Sequence, residues 1–186
     1  MFLNEDELKK IRFKSIGKNV LISDRCSIYG AKDISIGNNV RVDDFCILSG
    51  KITLGSNIHI AAYSALYGKF GIEMEDFTGL SPRCTIFSAT DDFGGNYLIS
   101  PMNPEKYTNV TGGKVLLKRF VQIGAGAVIM PDMVLQEGVA IGAMSFVKKM
   151  IAPIEPWEIW AGNPLHFIKR RHRGMIEFAR QIEYGL

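Results

Sequence analysis

The chain carries an apolar residue at every sixth position over most of its length. Ile16, Ile22 and Ile28 open the series, and after a shift of two it resumes at Ile36, Val42, Leu48, Leu54, Ile60 and Leu66. A second shift of two leads to Met74, Leu80 and Ile86, and beyond a gap Leu117, Ile123, Ile129, Leu135, Ile141 and Val147 follow unbroken. Both shifts come just after a Tyr-Gly pair, Tyr29-Gly30 and Tyr67-Gly68, as turn insertions would. A period of six fits neither the 3.6-residue repeat of a helix nor the simple alternation of a strand. It fits a short strand and a corner, repeated three times per coil. Gly17, Gly37, Gly55, Gly124 and Gly142 directly follow the apolar residue, and Asn19, Asn38, Asn39 and Asn57 come soon after. Glycine and asparagine accept the positive φ that sharp corners need. The pattern predicts an all-β chain: a parallel β-helix of triangular section. It should have about six coils, stacked about 4.8 Å apart. No coil buries its inward face alone, so the stack itself supplies the core.

Three segments interrupt the repeat. Residues 1–15 read as a helical lead-in, with Asn4 as cap, acids in the first turn, and Leu8 and Ile11 on one face. Residues 88–114 form a loop too long to be a mere connection, and such loops usually carry function. Residues 153–186 form a tail that ends in a helix. Residues 165–184 look helical at the end, where Met175, Ile176, Ala179 and Ile182 make an apolar stripe. The β-helix proper is expected over 16–152, and the whole is one domain. Cys26, Cys46 and Cys84 each fall at the fourth position of a repeat, where a side chain points inward at a corner; Ser64 and Ser145 share that phase. They read as small buried ladder residues.

Composition narrows the function classes. With 22 basic and 19 acidic residues, the net charge of +3 calls for neither nucleic acid nor an anionic membrane as partner. No apolar run is long enough for a spanning helix. The acidic, then basic, opening Met1–Lys10 has no apolar signal core. Three cysteines without a C-x-x-C fit a reduced, cytoplasmic setting.

The repeats Ile123-Gly-Ala-Gly-Ala-Val128 and Ile141-Gly-Ala-Met-Ser-Phe146 resemble those of the hexapeptide-repeat acyltransferases. The ending Ala161-Gly-Asn-Pro-Leu-His-Phe-Ile-Lys-Arg170 resembles that family's tail, with Leu165 in place of the usual alanine. The resemblance spans residues 16–171. It implies a left-handed β-helix, a homotrimer with sites between subunits, and transfer of an acyl group from acetyl-CoA or another acyl-CoA. No metal is expected, because a zinc site needs three converging histidines and two of the three here lie on the tail. The loop stretches Phe87–Tyr97 and Tyr107–Gly113 resemble the branch that acylates dTDP-4-amino-4,6-dideoxyglucose in viosamine and anthrose pathways. The implied product serves O-antigen or other surface polysaccharide, as in lipopolysaccharide biosynthesis.

By the same resemblance, Ala125 and Ala143, one coil apart, match positions along which the pantetheine arm lies. Lys148 and Lys149 match a pair that reaches the CoA nucleotide, and His166 and Lys169 match two basic tail positions. Clustered cations suit the CoA phosphates. Sugar acetyltransferases of the superfamily often place a histidine base on the long loop. This loop has none; His59, His166 and His172 lie elsewhere. Near where it would fall stand Asp91 and Asp92. Three roles are open to them: taking the amine's proton, binding sugar hydroxyls, or capping a turn. The Ser88 hydroxyl or a backbone N–H is a candidate for supporting the oxyanion. Tyr97, Tyr107 and Asn109 are candidates for contact with nucleotide or sugar. His59 sits at an outward phase. An uncharged amine needs a base less than an alcohol does, so the missing loop histidine favours N-acylation. A sugar O-acetyltransferase and a non-catalytic trimeric scaffold are the alternatives.

Overall fold

The computed structural model describes residues 1–150 and 153–185. The expected end of the β-helix at residue 152 lies outside the described residues. Three faces run the length of a prism. The first face stacks Val20–Ile22, Val40–Val42, Ile58–Ile60, Gly79–Leu80, Gln122–Ile123, Ala140–Ile141 and Glu158–Ala161, each parallel to the next. These are seven layers, one more than the repeat predicts. The period misses the last layer because Ile141 aligns with Trp160, one residue out of step with the spacing of eighteen. The strand His166–Arg170 then folds back antiparallel on Glu158–Ala161. Helix therefore begins later in the tail than expected, at α2, Met175–Tyr184.

Every position of the six-residue series from Ile36 to Val147 is buried, as is Ile22. Ile16 and Ile28 are not fully covered, because the first coil has no coil beneath it. The helix α1, Glu5–Ile11, covers that end with Leu8. Its capping box is complete: the Asn4 side chain accepts from the backbone of Asp6 and Glu7, and Glu7 accepts from the Asn4 N–H.

The corners repeat one backbone solution. Corner one, entering the first face, holds Asn19, Asn39, Asn57, Phe77, Phe120 and Trp157 at φ between 54° and 65°. Corner two, leaving the first face, holds Phe45, Tyr63, Arg83, Gly126 and Met144 in the same region. At corner three the chain runs through in one long strand in Ile47–Leu54 and Ala65–Met74, turns at Ala31–Asp33 and at Asp132, and departs into the loop 88–114 after Phe87. Antiparallel pairing of Ala89–Thr90 with Thr111–Gly112 closes the neck of that loop.

Cys46 and Cys84 are fully buried, Cys26 is partly covered, and all three are free thiols. Burial, with the nearby Cys46, pushes the Cys26 thiol up to about 12; burial pushes Cys84 up to about 11. In the tail, Ala179 is buried while Ile182 is exposed, so the stripe on α2 ends one turn earlier than expected.

Candidate active site

The in-register first face fixes what stacks at corner two. Leu80, Ile123 and Ile141 align, so the residues that follow them stack as well. One column reads Gly142, Gly124, Ser81, Ala61, Asp43; its neighbour reads Ala143, Ala125, Pro82, Ala62, Asp44. Backbone hydrogen bonds bind each step, including Gly124 N–H to Ile141, Ser81 N–H to Ile123, Ala61 N–H to Leu80 and Met144 N–H to Ala125. The glycines are steric requirements here: a Cβ on Gly124 would stand 2.5 Å from the Ala143 nitrogen. Ala125 and Ala143 are exposed on this corner. The result is a shallow track of small side chains along the upper coils, open to solvent.

The track meets its first polar groups at Ser81. A cleft of about 220 Å³ there is lined by His59, Ala61, Gly79, Leu80, Ser81, Pro82 and Gln122. The Ser81 hydroxyl has no hydrogen-bond partner among the described residues. His59 Nε2 lies 2.7 Å from Asp43 Oδ2, and Arg41 Nε donates to Asp43 Oδ1 at 2.6 Å. Burial works to raise the Asp43 pKa, but the hydrogen bonds and charges of His59 and Arg41 outweigh it, and the carboxyl sits below its ordinary value. Neither Ser81 nor the His59–Asp43 pair follows from the repeat by itself. The readable signal for Ser81 was its alignment with Gly124 and Gly142.

The basic residues sit around the upper end. Lys148 lines a cleft of about 320 Å³ with Phe146, Met150 and the turn Asn163-Pro164-Leu165. His166 is exposed beyond that turn, its Nδ1 3.2 Å from the Pro164 carbonyl. Lys149 pairs with Asp132 at 2.7 Å, and that carboxylate holds its ammonium above the ordinary lysine value. Lys169 lies on the antiparallel edge strand opposite Ile159.

The loop separates its candidates. Asp92 accepts from the backbone N–H of Gly94, Asn96 and Tyr97, so it is the keystone of a turn. The Asp91 carboxylate has no partner among the described residues. Ser88 is fully buried; its hydroxyl donates to the Tyr67 carbonyl and accepts from Phe70 N–H. That proton is committed, so the oxyanion role expected of Ser88 gives way to anchoring the loop. The Leu98 N–H bonds the Tyr107 carbonyl at 2.8 Å, which brings the stretches bearing Tyr97 and Tyr107 together. Both tyrosines and Asn109 are exposed, and Lys106 covers one face of the Tyr107 ring. Within one chain the loop leaves corner three while the small-residue track follows corner two. Asp91 and the alanines therefore belong to two separate surfaces of the same prism. Among the described residues no His, Cys, Asp or Glu cluster has the makings of a metal site.

A protein from Escherichia coli described as dTDP-4-amino-4,6-dideoxy-D-glucose acyltransferase is 42% identical over 179 residues, covering 95% of this chain and 92% of the relative. The chain belongs to this acyltransferase family. No family model matches it. Among solved structures, a serine-to-cysteine variant of AntD, an N-acyltransferase from Bacillus cereus, holds dTDP-4-amino-4,6-dideoxyglucose and coenzyme A. It is 52% identical, covers 100% of this chain and 98% of its own, and superposes with a TM-score of 0.94. A complex of AntD with dTDP and 3-hydroxybutyryl-CoA is 53% identical, with coverage of 99% and 97% and a TM-score of 0.94. AntD has been solved with replacements at one serine and at an aspartate ten residues further along. Ser81 and Asp91 stand at that spacing in this acyltransferase.

Proposed function

We propose that the protein transfers an acyl group from acetyl-CoA, or a related acyl-CoA, to the 4-amino group of dTDP-4-amino-4,6-dideoxyglucose. The observation that carries this reading is the 42% identity across 95% of the chain to an acyltransferase described for that acceptor. The AntD complexes with coenzyme A and the dTDP-linked aminosugar support it.

Acyl-CoA lies along corner two, its amide-bearing arm against Ala143 and Ala125. A track without bulky side chains is what an extended, backbone-like ligand needs. Lys148, Lys149, His166 and Lys169 serve the phosphates at the upper end. The thioester then reaches the Ser81 hydroxyl, which donates to the oxygen that gains charge as the amine attacks. Asp91 holds the acceptor amine; Tyr97, Tyr107 and Asn109 contact its sugar or nucleotide. Asp92 keeps the loop in shape.

The working form is a cyclic homotrimer in which the loop of one chain covers corner two of its neighbour. Phe93 and Met102 on the loop are 81% and 89% exposed in a single chain, which favours a partner surface over solvent. The setting is cytoplasmic, the product feeds lipopolysaccharide or another surface polysaccharide, and neither nucleic acid nor membrane is a partner. No helix among the described residues is long and apolar enough to cross a membrane.

Incubation with acetyl-CoA and the dTDP-aminosugar tests the reading by mass spectrometry. An acetylated product is expected from the amine and little from the matching 4-hydroxy sugar. Equal turnover of the two would overturn the assignment to nitrogen.

A further inference from the structure

We propose that His59 is the general base of this transfer and that Asp43 holds it in its working form. The inference rests on the acceptor reading above and adds the group that takes the proton. Three observations meet. First, His59 lines the same cleft as Ser81, where the small-residue track of corner two ends. Second, the residue aligned with His59 one coil above is Gly79, whose missing side chain leaves room for the Gln122 amide, so imidazole and amide line the cleft together. Third, Asp43 is only 18% exposed at its side chain and is gripped by two donors, Arg41 Nε on one oxygen and His59 Nε2 on the other.

The tautomer follows from the partner. A carboxylate only accepts, so Nε2 carries the hydrogen and Nδ1 keeps its lone pair. Nδ1 has no partner among the described residues. The charged groups facing the ring, Asp43 and Arg41, both come from the coil below; the strands above present Gly79 and Gln122, which do not titrate. This is the base–orienter arrangement of nucleophilic enzymes, placed on rigid strands instead of the long loop.

The amine nitrogen forms a bond to the thioester carbonyl carbon, and the surplus proton on that nitrogen passes to Nδ1. The tetrahedral adduct then collapses, the C–S bond breaks, and the proton moves from Nδ1 to the departing sulfur. Amide, free thiol and neutral imidazole remain. Asp91 is then left to orient the acceptor.

Three substitutions and one spectrum test this. His59 is 53% exposed at its side chain, so His59→Gln and His59→Ala should fold normally. Each is expected to lower kcat by about a hundredfold or more with little change in either KM. Added imidazole should restore part of the His59→Ala rate. Asp43→Asn should lower kcat by a smaller factor. Wild-type kcat in His59→Gln, or a loss that imidazole does not relieve, would overturn the proposal. Nitrogen NMR of His59 in the wild-type protein is independent of the substrate: hydrogen on Nε2 is expected, and hydrogen on Nδ1 would overturn it. Failure of the wild-type protein to acylate the aminosugar would instead count against the acceptor reading, and the NMR result would still decide the histidine.

Discussion

Corners one and two share a backbone conformation and differ in what hangs from it. At corner one, Phe77 stacks on Phe120 with ring centres 5.5 Å apart, and Phe120 meets Trp157 at 5.7 Å. The Arg119 guanidinium lies 4.7 Å from the Phe120 ring centre, and Arg171 bonds the carbonyls of Phe120 and Gly138. Gly138 has no side chain because the Trp157 ring occupies that space. Helix α2 then seals the corner with Ala179, Met175 and Ile176. At corner two of the same coils the chain places Gly126 and Met144 beside Ala125 and Ala143, and no element among the described residues covers them. A β-helix thus offers equivalent ridges, and side-chain size decides which becomes core and which stays open to solvent.

The largest effect should come from corner one. Phe120→Ala removes a ring that is 4% exposed and is expected to cost about 3–5 kcal/mol in urea denaturation. In the fraction that folds, KM for acyl-CoA should be unchanged; a selective rise in KM would erase the distinction between the corners. Next comes Ala143→Leu at corner two. It should leave the melting temperature nearly in place and raise KM for acyl-CoA tenfold or more, equivalent to about 1.4 kcal/mol. Loss of stability without loss of affinity would reverse the assignment. Lys149→Ala should be milder: its partner Asp132 is exposed, and such pairs contribute about 0–1 kcal/mol. Stability should hold while KM for acyl-CoA rises a few-fold and KM for the aminosugar stays constant.

The cysteines give the smallest signal, and it concerns the interior behind corner two. Their thiol pKa values are raised in the fold, so the unfolded chain ionises first as pH climbs past the ordinary thiol range. The stability they share with the fold is complete below about pH 8.5 and declines above it. Cys46 and Cys84 should also resist thiol reagents until the protein unfolds; rapid native labelling would contradict the inward phase.

How legible this was in the sequence depended on whether the period reached the residues concerned. Ile36 to Val147 follow it, and their burial was readable because only the inward side of a coil repeats every six residues. Glu158–Ala161 was missed, since the turn around Trp157 puts the seventh layer out of step. His166–Arg170 looked like part of a helical tail because an edge strand open to solvent carries no alternation. The loop's extent was clear, but not its division of labour. Asp91 and Asp92 are adjacent and chemically alike, and only the three backbone N–H groups around Asp92 separate a turn cap from a free carboxylate. Ser88 looked accessible because a sequence does not reveal that a hydroxyl is already bonded on both sides.

The central claim is that acyl-CoA runs along corner two and leaves corner one untouched. Hydrogen exchange of backbone amides with and without coenzyme A measures this directly. The account predicts added protection at 124–126 and 142–144, and none at 119–121 or 137–139. Protection at corner one with corner two unchanged would contradict it.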